Sequence, residues 1–261
     1  MRLDQLLVAK GFCQSRSQAQ DAIKEGRVSV NGKVISKCAF DVSEDALVSM
    51  QKAEIAFASR AGLKLYYALE DFHIDIKDKI VLDVGASTGG FTDVCLSKGA
   101  AHVYACDVGS GQLIEALKNN PKVSDMENVN CRYLSAEMFD PQPQFACMDV
   151  SFISVQAILP ALIQTLSDDY EMVILIKPQF EAGKKDIGKN GIVRDAKVHQ
   201  RVLMECVDAL RQLGAYPQHL AKSKVCGRDG NQEYVLHCSS TPSMKVFDYA
   251  KIVKEDVRFN V

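Results

Sequence analysis

Apolar residues change their period along this chain. Over the first two dozen positions they recur at helical spacing: Leu3, Leu6 and Leu7, then Ala19, Ala22 and Ile23. Gly11 and Gly26 stand where two such helices would end. Ser15, with Gln18 three residues later, is a capping-box pattern for the second helix. Val28 and Val30 then lead into Asn31-Gly32, a dipeptide favoured in tight hairpin turns, and Val34 follows. The spacing therefore predicts helix, turn, helix and hairpin within residues 1–52. Residues 53–60 read as a linker. Ser59 is a candidate cap for a helix running through Lys64 and Ala68.

From Ile80 the pattern differs. Short apolar runs alternate with helical stretches: VLDVG (81–85), HVYACDVG (102–109), FACMDVS (145–151) and MVILIKP (172–178), with a helix-like FTDVCLSKG between the first two. Further strands are expected near 217–225 and at EYVLHC (233–238). Strands alternating with helices predict an α/β domain over 61–239, a mostly parallel sheet flanked by helices. The stretch from 240 to 261 reads as a tail without a pattern. No apolar run approaches the roughly 18 residues of a membrane span, and the N-terminal run is too short for a signal peptide.

Composition changes this picture in two places. The 261 residues are 47% hydrophobic and 25% charged with a net charge of −2, which suits a globular chain with a real core. The charge is unevenly spread. Residues 1–40 hold seven basic side chains against three acidic ones, the asymmetry of a basic binding module joined to a near-neutral body. The nine cysteines are an odd number without a CxxC pair, so neither a disulfide framework nor a zinc site is expected. Their usage fits a reducing cytoplasm.

The sharpest chemical signal is VLDVGASTGGF, a strand entering a glycine-rich turn and then a helix. Gly85, Gly89 and Gly90 allow a tight turn and close approach of a ligand, and Ser87, Thr88 and Phe91 complete the motif. The spacing is not the dinucleotide fingerprint. It fits S-adenosylmethionine better, a ligand with no pyrophosphate to cradle, although a turn in another nucleotide-binding fold shares these glycines. Asp107 ends the next strand, where an acidic residue typically accepts ribose hydroxyls. Asp83 and Asp107 together suit a ligand carrying an ammonium and a sulfonium.

Three charged residues mark strand ends. Asp149 closes FACMD, Lys177 follows MVILI, and Glu233 opens EYVLHC. Ligands of open α/β sheets bind beyond the carboxyl ends of the parallel strands. Asp149 and Lys177 fall there, and Glu233 joins them if the last strand runs antiparallel. Lys64, on the helix before the sheet, reaches over from outside. Lys177 is then the candidate base for a sugar hydroxyl, while Asp149 and Glu233 orient the ammonium and the hydroxyl. Each alone reads more readily as a solvated charge, and it is the convergence of four on one edge that carries the reading.

SRAGLKL, DVGASTGGF, YACDVG, CMDVSF, LIKPQFE, GIVRD and QEYVLH resemble the TlyA family of ribosomal RNA methyltransferases, some of which carry the name haemolysin. The catalytic part is also similar to the FtsJ-type heat-shock ribose methyltransferase. The resemblance implies a Rossmann-like class I methyltransferase sheet with its last strand antiparallel, and a Lys-Asp-Lys-Glu tetrad of Lys64, Asp149, Lys177 and Glu233. It implies S-adenosylmethionine as cofactor, bound by the glycine-rich turn, Asp83, Asp107 and Asp149, and methylation of a ribose 2′-hydroxyl of ribosomal RNA, at a cytidine. LLVAKGFCQSRSQAQDAIKEGRVSVNGKVISK resembles the αL-type RNA-binding domain of a small-subunit ribosomal protein. Arg16, Ser17, Lys24, Arg27, Lys33 and Lys37 would track phosphates, without an aromatic platform for stacked bases. The Gly- and Lys-rich segment 178–197 adds Lys184, Lys185, Lys189 and Arg194 near the site. Two other readings stay open: a non-catalytic RNA-binding or ribosome-assembly factor, and a membrane-active haemolysin.

Overall fold

Helix α1 (Leu3–Ala9) forms where Leu3, Leu6 and Leu7 share one face, and that face is buried. Helix α2 (Arg16–Lys24) meets it with Ala19, Ala22 and Ile23. The Ser15 hydroxyl accepts the Gln18 amide at 3.3 Å, the expected cap. Strands β1 (Val28–Val30) and β2 (Lys33–Val34) pair around Asn31 and Gly32, whose φ values of 50° and 78° are those of the hairpin turn foreseen for this dipeptide. Strand β3 (Val48–Met50) takes the other side of β1. Under these elements lies one buried charge. Asp4 is fully buried and accepts from Arg2, Arg16 and Gln20 at 2.8–3.0 Å.

The computed structural model describes residues 1–13, 15–24, 26–51, 57–188, 191–227 and 230–255. It separates into two units, Met1–Arg60 and Ala61–Val261. The second begins with α3 (Gly62–Phe72), which Ala61 precedes directly; Ser59 is not its cap, because two residues lie between them. Then come β4 (Ile80–Val84), α4 (Gly90–Ser97), β5 (His102–Cys106), α5 (Glu115–Lys118), β6 (Val123–Met126), β7 (Phe145–Met148), α6 (Leu159–Thr165), β8 (Glu171–Ile176), α7 (Pro178–Glu181), α8 (Ala196–Gln212), β9 (Tyr216–Lys222), β10 (Tyr234–Ser239) and α9 (Tyr249–Lys254).

The strands form one seven-stranded sheet in the order β6-β5-β4-β7-β8-β10-β9. The first five are parallel; β10 runs antiparallel to both β8 and β9. The central strands are buried on both sides, which is why they read as continuous apolar runs. Leu82, Ala146 and Ile174 face α6 and α8 through Leu159, Leu162, Val202 and Leu203. Helices α3 and α4 pack together, and Cys95 of α4 lies 3.9 Å from Cys147 of β7.

Several elements went unforeseen, among them β6, α8 and α9. Strand β6 is half-buried and mixed in polarity, so it carries no apolar run. Helix α8 is an amphipathic 17-residue helix whose stripe includes Val202, Leu203, Cys206, Val207 and Leu210. Helix α9, in the presumed tail, packs against α8 and β9. Among the described residues, no helix is long and apolar enough to cross a membrane.

Arg2 and Arg16 hold the Asp4 carboxyl well below the usual carboxylate range. Its contribution is therefore present above the unfolded value and lost only as pH falls through the much lower folded one. Asp4→Asn lowers the stability of residues 1–50, read by amide exchange in the full chain. The deficit against the parent persists at pH 3 and closes only in stronger acid.

Candidate active site

Strand β4 delivers the chain into the glycine-rich turn at Gly85, whose φ is +86°. A Cβ there would stand 2.8 Å from the Asp149 carbonyl oxygen, so the turn after β4 rests directly on the end of β7. Thr88 and Ser87 are exposed, whereas Gly89, Gly90 and Phe91 are buried at the start of α4. Asp107 follows β5. Its Oδ2 accepts the Ser87 amide and its Oδ1 the Gly109 amide, both at 2.8 Å. The carboxylate is thus fixed beside the turn. Gln112 lies over it, taking the Ser87 hydroxyl at 3.0 Å and approaching Asp107 Oδ1 at 3.4 Å.

Asp83 sits differently from Asp107. It is fully buried behind the turn and accepts the Thr92 hydroxyl at 2.7 Å. Burial pushes its carboxyl up to about 7, against the lowering effect of Thr92, and the nearby Asp149 adds to the rise.

The three strand-end charges and Lys64 come together. Lys177 Nζ lies 2.5 Å from Asp149 Oδ1, and Lys64 Nζ lies 3.7 Å from Asp149 Oδ2 and 2.5 Å from Glu233 Oε2. The result is an alternating chain, Glu233–Lys64–Asp149–Lys177. All four side chains are at most 12% exposed. Each comes from a different element: α3, the end of β7, the end of β8 and the start of β10. The antiparallel pairing of Tyr234 with Ile176 brings Glu233 level with Lys177.

Lys177 also donates to the Ser151 hydroxyl at 3.0 Å. The next residue, Phe152, is 91% exposed and has a φ of +64°. An aromatic residue in that conformation stores on the order of 1–3 kcal/mol of strain. Its ring lies 5.1 Å from that of Phe180, which in turn lies 5.9 Å from Lys177 Nζ. Neither phenylalanine was singled out from the sequence. An outward-facing ring beside a buried acid–base chain depends on a left-handed backbone, and no local sequence signal marks one at a phenylalanine.

The expected RNA contacts fare unevenly. Lys24, Lys33 and Lys37 are exposed. Arg16 is half exposed but already bonded to buried Asp4, and Arg27 donates to the Gln51 carbonyl at 3.3 Å. Nothing is described of the Ser17 side chain. In the second unit, Lys184, Lys185 and Arg194 are exposed, and Lys189 lies outside the described residues. The segment 178–197 is less free than a loop. It opens with α7 and ends with Asp195 capping α8 through the Lys197 amide. Between them, the buried Asn231 side chain accepts the Val193 amide at 3.2 Å.

Residues 57–239 match the FtsJ-like methyltransferase family, most of the second unit and the whole charge chain. The chain belongs to that family. Residues 1–48 of this FtsJ-like methyltransferase match the S4 domain. It is 41% identical to the 16S/23S rRNA (cytidine-2′-O)-methyltransferase TlyA of Mycobacterium tuberculosis, over 90% of this chain and 88% of that one. It is also 41% identical to Hemolysin A of Brachyspira hyodysenteriae, over 91% and 99% respectively. Among solved structures, a hemolysin-named protein of Streptococcus thermophilus superposes with a TM-score of 0.78 at 38% identity, covering 97% of this chain and 94% of that one.

The position of Asp83 has a pH signature. Its folded value lies above the unfolded one, so its stabilising contribution is full in acid and is lost as pH rises from about 4 through about 7. Asp83→Asn is insensitive to that loss. Between pH 5 and pH 7.5 the stability difference between variant and parent shifts in the variant's favour by on the order of 2 kcal/mol, measured by denaturant unfolding with the parent as reference.

Proposed function

We propose that this FtsJ-like methyltransferase methylates a ribose 2′-hydroxyl of ribosomal RNA, at a cytidine, with S-adenosylmethionine as donor. The carrying observation is the alternating chain of Glu233, Lys64, Asp149 and Lys177 beside the glycine-rich turn. The residues present fit the donor. Gly85 lets the turn close against the backbone of Asp149, and the Asp107 carboxylate is held by two backbone amides at the place of a nucleoside's ribose hydroxyls. The turn itself, residues 85–91, has no basic side chain to meet a phosphate. Asp107 would take the ribose hydroxyls, and Asp149 would meet the methionine ammonium. When bound, the donor supplies an electrophilic methyl carbon on a sulfonium.

The chain's own residues then do three things. Lys177, in its neutral form, accepts the proton from the 2′-hydroxyl as the new O–C bond forms. Asp149 and Glu233 hold the two lysines in place, so that each amine has a carboxylate against it. Phe152 offers a free aromatic face on which a base drawn out of its stack can rest. The displacement is in line and needs little else beyond positioning.

The S4 domain is the delivery device. Lys24, Lys33 and Lys37 with Arg16, Ser17 and Arg27 would meet phosphates, and Lys184, Lys185, Lys189 and Arg194 would guide the strand at the catalytic unit. Ribosomal RNA within subunits is the substrate this reading requires, and the cytoplasm is where it is met. The TlyA relative is named for the same chemistry.

Lys177→Ala reduces transfer of labelled methyl to ribosomal subunits by about 100-fold or more, while calorimetric binding of S-adenosylmethionine is retained. If the parent protein binds no S-adenosylmethionine and leaves every subunit unmethylated, the assembly-factor reading replaces this one.

A further inference from the structure

The short helix α7 follows β8 directly after Lys177, and Lys177 and two residues of the helix grip the loop after β7. Lys177 meets Asp149 and Ser151. Phe180 meets Phe152. Glu181 meets Ser154 and Val155: its Oε2 accepts the Ser154 hydroxyl at 2.6 Å and its Oε1 the Val155 amide at 2.8 Å. Ser154 in turn accepts the Gln156 amide at 3.2 Å and starts a single 3₁₀ turn, Val155–Ala157. The segment from Ser151 to Phe152 is therefore held at both ends, by Lys177 before it and Glu181 after it.

We propose that Glu181 is a positioning residue for the acceptor side of the site. Its carboxylate anchors residues 154–155 so that Phe152 keeps its left-handed backbone and its ring stands outward beside Lys177. Two observations support a role beyond packing. A partly buried carboxylate is a costly way to close a loop, and burial raises the Glu181 carboxyl above its ordinary range. The residue whose conformation it enforces is almost wholly exposed and strained, so the fold itself gains nothing from that conformation. The inference rests on the reading of Lys177 and Phe152 as the acceptor side.

The experiment is a double-mutant cycle on the full chain with a second, activity-free readout. Amide exchange of residues 151–156 rises in Glu181→Ala, while S-adenosylmethionine affinity and the exchange of β4, β5 and α4 stay at parental values. Glu181→Ala lowers kcat/KM for ribosomal subunits by about tenfold or more, the scale of a displaced positioning group. Glu181→Gln, which still offers an oxygen to Val155, recovers most of it. In a Phe152→Ala background the same Glu181→Ala change costs less than about twofold, because the two residues act as one. Unchanged exchange at 151–156, or costs that multiply in the double variant, overturn the proposal. A parent that methylates nothing overturns the functional reading instead, and the exchange result still decides whether Glu181 holds the loop.

Discussion

Four ionisable side chains share one buried edge of the sheet, and the rest of the catalytic unit is arranged around keeping acids and amines in alternation. A single unpaired charge at that depth would cost several kcal/mol. Placed as Glu233, Lys64, Asp149 and Lys177, each amine touches a carboxylate. Alternation imposes topology. Asp149 and Lys177 reach the edge at the carboxyl ends of parallel strands, whereas Glu233 precedes its strand. Only an antiparallel β10 brings that position to the same edge. Lys64 must come from outside the sheet, which is the place α3 takes.

The donor side and the acceptor side are joined through one backbone atom. The Asp149 carbonyl oxygen lies only 2.8 Å from where a Cβ on Gly85 would stand, so the glycine-rich turn abuts the end of β7 that carries the charge chain. Asp107 is fixed by the amides of Ser87 and Gly109 and ties the end of β5 to the same turn. A methyl donor held by this turn and a hydroxyl held by Lys177 would share a rigid frame, which is what an in-line displacement dependent on positioning requires. Asp83 belongs to that frame's foundation. It is sealed behind the turn against Thr92, whereas Asp107 stands beside the turn.

Much of this was legible because it rests on local rules. The Asn31-Gly32 turn, the Ser15 cap and the apolar runs of β4, β5, β7 and β8 each follow from a few adjacent residues. The edge holding Asp149 and Lys177 followed from strand direction, and Glu233 joined it through the antiparallel last strand that the family resemblance implied. What escaped depends on tertiary context. Strand β6 pairs only on one side, with β5, and so needs no apolar run. Arg16 looks from its sequence like a free basic side chain, and only packing places Asp4 under it. Phe152 was invisible for the same reason: its importance lies in a backbone conformation that β7 and α7 impose together.

That conformation separates two kinds of order in one site. The charge chain is stabilised by its own contacts, so removing one member unbalances the other three and the effects of substitutions there should not add. The Phe152 turn is the reverse. It gains no burial and carries backbone strain, so it persists only because neighbouring groups over-determine it. Lys177 sits on both systems, bonded to Asp149 in one and to Ser151 in the other. A substitution at Lys177 therefore disturbs both sets of contacts together. One at Glu181, whose bonds go only to the far end of the loop at Ser154 and Val155, reaches the acceptor side while leaving the ion pairs in place.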